Sequence, residues 1–97
     1  MYGINEKVYK ALIEYFRSNS NINKVILFGS RAKGLENVNS DIDICIQCGG
    51  KSKGSIAEEI NDLVGIYSCD IVFTDSLNEE LEKQVLRDGI EIYGAND

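Results

Sequence analysis

The chain has 97 residues, with 10 lysines and arginines against 16 aspartates and glutamates, for a net charge of −6; that length suits a single domain over 1–97 built around one core. The acidic balance argues against broad nucleic-acid binding, since most of the surface would repel a phosphate backbone. The opening MYGINEKVYKALIEYF mixes charge with apolar residues and reads as neither signal peptide nor membrane span, and three cysteines without a secretory signal predict reduced thiols in a cytoplasmic protein.

In chain order, an amphipathic helix is predicted over about Asn5 to Ser18, with Val8, Leu12, Tyr15 and Phe16 on one stripe. Lys24 to Phe28 reads as a short buried strand cut off by Gly29, and a glycine there permits a tight strand-to-helix turn and a close approach of backbone to ligand. A one-turn helix from Ser30 to about Gly34 would aim free backbone N–H groups at an anion such as phosphate, with the Ser30 hydroxyl and the charges of Arg31 and Lys33 beside them. A second strand is predicted over Asp41 to Gln47. A helix follows over Ser55 to Val64, with Ser55 and Glu58 as a capping box and Ile56, Ile60, Leu63 and Val64 on its buried face. Cys69 to Thr74 is the third strand. A last helix is expected from Ser76, capped with Glu79, stacking Leu77, Leu81 and Val85 and stopping at Asp88-Gly89; Ile90 to Tyr93 adds a short final strand. The fold class is therefore α/β (α+β), a small mixed β-sheet with packed helices.

Asp41 and Asp43 carry the chemistry. Two residues apart on a strand, about 6.6 Å along the chain, their carboxylates share a face while Ile42, Ile44 and Ile46 take the other. Two close like charges on an apolar strand ask for a neutralising cation, and magnesium prefers such hard oxygen ligands together with substrate phosphates. Asp70 opens the next strand, and if that strand lies beside Asp41 to Ile46, it brings a third carboxylate to the cluster.

Gly29-Ser30, ten intervening residues and Asp41-x-Asp43, within the string GSRAKG…SDID, closely resembles the signature of the minimal nucleotidyltransferases, a branch of the DNA polymerase beta superfamily. Four fixed residues at roughly 5 to 7% usage coincide by chance about once per 100,000 positions. The resemblance covers nearly the whole chain, because Cys69-Asp70-Ile71-Val72 falls where the family carries its third carboxylate, and Lys33 stands where arginine is common. It implies a polymerase beta-like nucleotidyltransferase fold and a catalytic and metal-binding set of Asp41, Asp43 and Asp70 holding two Mg2+ ions. Nucleotide binding falls to Gly29, Ser30, Arg31 and Lys33, with ATP as AMP donor. It further implies an antitoxin whose partner is a small helical HEPN-type toxin, adenylylated on a tyrosine. Two rival roles stand beside it: an antitoxin that acts by binding alone, and a subunit that modifies a small molecule such as an aminoglycoside. Either is compatible with a homo-oligomer.

Two further motifs are set aside. Gly50-Lys51-Ser52 resembles the end of a P-loop, but that motif needs a glycine where Cys45 stands. Cys45 and Cys48 have the spacing of a zinc or redox pair, yet residues three apart on a strand face opposite sides, and the sequence has no histidine to complete a zinc site.

Overall fold

Asn5 starts the first helix. Its side-chain oxygen accepts hydrogen bonds from the backbone N–H of Lys7 at 2.9 Å and of Val8 at 3.4 Å, satisfying donors that a helix start leaves without a partner. The computed structural model describes residues 1–49 and 53–95. Its elements are α1 (Glu6–Ser18), β1 (Ile22–Phe28), a one-turn α2 (Ser30–Lys33), β2 (Ile42–Cys48), α3 (Lys53–Leu63), β3 (Cys69–Phe73), α4 (Glu79–Asp88) and β4 (Ile90–Gly94). The Gly50-Lys51-Ser52 stretch lies outside the described residues.

The four strands form one mixed sheet in the order β3-β2-β1-β4. β1 pairs antiparallel with both β2 and β4, while β2 and β3 run parallel. Parallel neighbours need a crossover, and α3 supplies it.

The alternation of side chains along the strands divides the sheet into two faces with different packing. Val25 and Leu27 of β1 and Ile42, Ile44 and Ile46 of β2 join Leu12 and Phe16 of α1 and Ile56 and Ile60 of α3 in the larger core, all of them buried. On the opposite face Phe28, Cys45 and Val85 form a smaller cluster with Ile26, Val72, Leu77 and Leu81 packed around them. α4 thus covers only part of that second face. Cys45 belongs to the smaller cluster and Cys48 packs against the larger one, so the two thiols point to opposite sides, and both are free.

Two helix starts differ from the sequence expectation. α3 begins at Lys53, upstream of Ser55, so Ser55 sits inside the first turn and cannot form the capping box with Glu58. Tertiary contacts favour the early start: Lys53 pairs with Asp75, and its ammonium lies 5.5 Å from the centre of the Phe73 ring, tying the start of α3 to the end of β3. In α4 the cap is Asn78, whose side chain accepts from the Leu81 N–H at 2.8 Å. Ser76, expected to cap with Glu79, instead closes a 3-10 turn over Thr74–Ser76. Asparagine caps at least as well as serine, and starting there keeps Leu77 and Leu81 together under the sheet.

Candidate active site

The site forms where β1 ends and β2 and β3 begin. Phe28 lies opposite Asp43 in the antiparallel β1–β2 pair, and Asp43 lies opposite Asp70 in the parallel β2–β3 pair. Directly paired residues share a face of a sheet, so both carboxylates stand on the face that carries Phe28 and Cys45, beyond the part covered by α4. The strand adjacency that the sequence left open is thereby answered: Asp70 is next to Asp43.

Gly29 turns the chain sharply out of β1 with φ 76° and ψ −158°, a region open in practice only to glycine. A Cβ at this position would collide with the Asp43 carboxylate oxygen Oδ2. The missing side chain is what lets the turn and the acid occupy the same corner. α2 then begins at Ser30 and ends at Gly34, which adopts the left-handed conformation at φ 74° and closes the turn with its N–H on the Arg31 carbonyl at 3.4 Å.

The electrostatics follow from crowding. Asp43 is pushed up from 3.8 to about 6, first by burial and then by the neighbouring Asp70 charge, by the hydrogen bond its carboxyl makes with Asp70, and by Asp41; Arg31 pulls it the other way. The Cys69 thiol is pushed up to about 12 by burial, with Asp70, Asp43 and Asp41 all adding to the effect. All three acids therefore act on one small region. Their arrangement is looser than a preformed cage: Asp43 and Asp70 are paired, Asp41 is exposed just ahead of β2, and among the described residues no three acidic or thiol groups stand together closely enough to hold an ion as they are. The donor set nonetheless fits a hard divalent cation, since it offers carboxylate oxygens alone and Asp43 and Asp70 repel each other without a counter-charge.

Lys33 is exposed and lies 3.7 Å from Asp88, which also accepts from Arg87 at 2.9 Å. Arg31 is placed otherwise than a phosphate ligand would be. Its side chain is only 2% exposed and donates to the Tyr2 carbonyl at 3.1 Å and the Ser40 carbonyl at 2.8 Å. Nothing in the sequence signalled these partners, because both are backbone oxygens and one lies 29 residues away.

A small cleft of about 190 Å3 opens beside Asp41, lined by Val38, Asn39, Ser40, Ile66, Tyr67 and Ser68. Larger clefts of about 670 and 420 Å3 run along α1 and against β4 and share no residue with the acids. Size alone would favour those, but neither the paired acids nor the Gly29 turn lines them.

A glycine turn facing acids on adjacent strands of a small mixed sheet defines a nucleotide-transferring class of protein. Residues 10–97 match the family model described as "Polymerase beta, Nucleotidyltransferase", and the chain belongs to that family; it is a nucleotidyltransferase. Several solved structures are similar. A toxin–antitoxin crystal structure with AMP-PNP is 25% identical, with a TM-score of 0.73 over 89% of this chain and 73% of that one. The toxin–antitoxin pair MntA-HepT is 22% identical, with a TM-score of 0.68 over 95% and 74%. A tri-AMPylated HEPN toxin in complex with its MNT antitoxin, from Shewanella oneidensis, is 20% identical, with a TM-score of 0.67 over 92% and 71%. No curated protein is similar enough to this chain to count as a relative. Among the described residues no helix is long and apolar enough to cross a membrane.

Proposed function

We propose that this chain is a cytoplasmic antitoxin that transfers AMP from ATP to a tyrosine hydroxyl of a small helical HEPN-type toxin. The observation that carries the reading is the pairing of Asp43 with Asp70 against the Gly29 turn, in a member of the nucleotidyltransferase family. The similar toxin–antitoxin structures, one with AMP-PNP and one with an AMPylated HEPN toxin, support the choice of donor and partner.

Asp41, Asp43 and Asp70 are the residues that would hold magnesium. When bound, the metal neutralises phosphate charge and lowers the pKa of a hydroxyl beside it. Gly29 and Ser30 receive the β- and γ-phosphates at the start of α2, and Lys33, released from Asp88, adds charge to them. Asp70 accepts the proton from the acceptor hydroxyl. The hydroxyl oxygen then forms a bond to the α-phosphorus in line with the bond to the β-phosphate oxygen, which breaks, and pyrophosphate leaves. Positioning and charge neutralisation supply most of the acceleration. The cleft beside Asp41 is smaller than the usual range for small-molecule sites, about 300–1,000 Å3, so the partner that presents the tyrosine also encloses the site.

The test uses a lysate of the source cells with magnesium and ATP labelled at the α-phosphate in one tube and the γ-phosphate in another. Label on a protein from the α tube alone, abolished by Asp43→Ala, supports AMP transfer and identifies the acceptor. Label in a small product would point to the small-molecule role. No label, with toxin neutralisation intact in an Asp41→Asn, Asp43→Asn double variant, would point to an antitoxin that acts by binding alone.

A further inference from the structure

Arg31 is the most deeply buried charge in the described structure, and its contacts converge from three separate segments. It sits on α2. Its Nη1 donates to the Tyr2 carbonyl at 3.1 Å and its Nη2 to the Ser40 carbonyl at 2.8 Å. Its guanidinium carbon lies 5.3 Å from the centre of the Tyr67 ring, within the range of a cation–π contact. The surroundings are shaped to admit it. Tyr2 and Gly3 both take positive φ, 56° and 73°, which turns the Tyr2 carbonyl inward, and a Cβ on Gly3 would come within 2.9 Å of Arg31 Nη1. Tyr67 is held in turn, its hydroxyl accepting from the Asn5 N–H at 2.9 Å.

Two of these contacts, those to Ser40 and Tyr67, lie on the segments that lead into the carboxylates. Ser40 precedes Asp41 directly. Tyr67 and Ser68 lead into β3, and the Ser68 carbonyl accepts from the Ile42 N–H at 2.8 Å, so the entries to β2 and β3 are joined at the level of the acids. The other end of α2 is the Gly29 turn, whose geometry is shared with Asp43. One planar fork therefore spans the phosphate turn, the Asp41 loop and the approach to Asp70.

We propose that Arg31 is a positioning residue that sets where Asp41 stands relative to Asp43 and Asp70, and that it does not touch the nucleotide. The inference rests on the nucleotidyltransferase reading of the site. It separates two properties that most arginines combine. The fork's geometry orders the Ser40–Asp41 peptide, and the buried charge offsets the acids. Lysine at this position keeps the charge but has one compact ammonium and cannot span both carbonyls and the Tyr67 face.

The experiment compares wild type, Arg31→Lys and Lys33→Ala, with Phe16→Leu as a core variant that loosens the fold away from the site. AMP transfer is followed by kcat and by KM for ATP, Mg2+ and AMP-CPP binding by calorimetry, and backbone order by hydrogen exchange at the Ile42 amide relative to Ile44. The expected result for Arg31→Lys is a fall in kcat of about tenfold or more with KM for ATP within about threefold, the pattern of lost organisation at the reacting centre without lost substrate binding. Exchange at Ile42 accelerates more than at Ile44, and Mg2+ binding weakens although net charge is unchanged. Lys33→Ala instead raises KM for ATP, and Phe16→Leu lowers the melting temperature while leaving kcat close to wild type. An Arg31→Lys protein whose KM for ATP rises while kcat holds would overturn the proposal and make Arg31 a phosphate contact. Unchanged exchange at Ile42 would overturn it as well. If wild type transfers no AMP to any acceptor, the functional reading fails, and the exchange and Mg2+ measurements still decide the role of Arg31.

Discussion

Gly29 and Asp43 compete for the same space: the side chain that Gly29 lacks is replaced by the Asp43 carboxylate. The turn out of β1 and the acid at the start of β2 are therefore one structural unit, and neither can change without moving the other.

Gly29→Ala should be among the most damaging single-carbon changes in the chain. The backbone conformation at φ 76° and ψ −158° costs alanine about 1–3 kcal/mol, and the new methyl must displace the Asp43 carboxylate. Thermal melting should show a clear loss of stability, and AMP transfer should fall by more than about 100-fold, as expected when a reacting geometry is displaced by about an ångström.

The raised Asp43 value predicts a defined pH dependence of stability. Its folded value of about 6 lies above the ordinary 3.8, so the stability it contributes is full below pH 3.8 and is lost as pH rises through about 6. In magnesium-free buffer, wild type should lose stability relative to Asp43→Asn between pH 4 and pH 7, measured by melting temperature at each pH. Proton and metal compete for the same oxygens, so apparent Mg2+ affinity should strengthen over that interval and EDTA should stop AMP transfer.

The helix caps give a comparison internal to α4. Asn78→Ala removes the acceptor of the Leu81 N–H and should cost about 1 kcal/mol. Ser76→Ala and Ser55→Ala should each stay within about 0.5 kcal/mol of wild type in urea unfolding, since neither serine caps its helix.

Phe16 is fully buried between α1 and the sheet, 5.8 Å from the Tyr93 ring centre. Phe16→Ala should cost about 3–5 kcal/mol by leaving a cavity. Leu86→Ala, at an exposed leucine on α4, should change the midpoint of urea unfolding very little.

The parts of the structure that depend on short-range pattern were readable from the residues. Val-Ile-Leu-Phe before Gly29 gave β1, the alternation around Asp41 and Asp43 gave β2 and its face, and Leu77, Leu81 and Val85 gave the buried side of α4. The starts of α3 and α4 were not readable, because Ser55 and Ser76 satisfy the local rule for a cap and lose to contacts from elsewhere: Lys53 bound to Asp75 in one case, and Asn78 two residues on in the other. The Asp43–Asp70 pair depended on strand order, which no local pattern encodes. Arg31 was the hardest to read. Its charge suggested solvent or phosphate, and its burial follows from carbonyls and a ring that the fold alone brings around it.

The unequal cover of the sheet has a consequence for how such a protein can change. Cohesion is concentrated on the α1 and α3 side, where most of the fully buried aliphatic side chains gather, while the acids stand on the thinly roofed side next to three small-cluster residues, Phe28, Cys45 and Val85. Substitutions at the exposed positions of α4 and in the loops beside Asp41 can accumulate with little loss of folding energy.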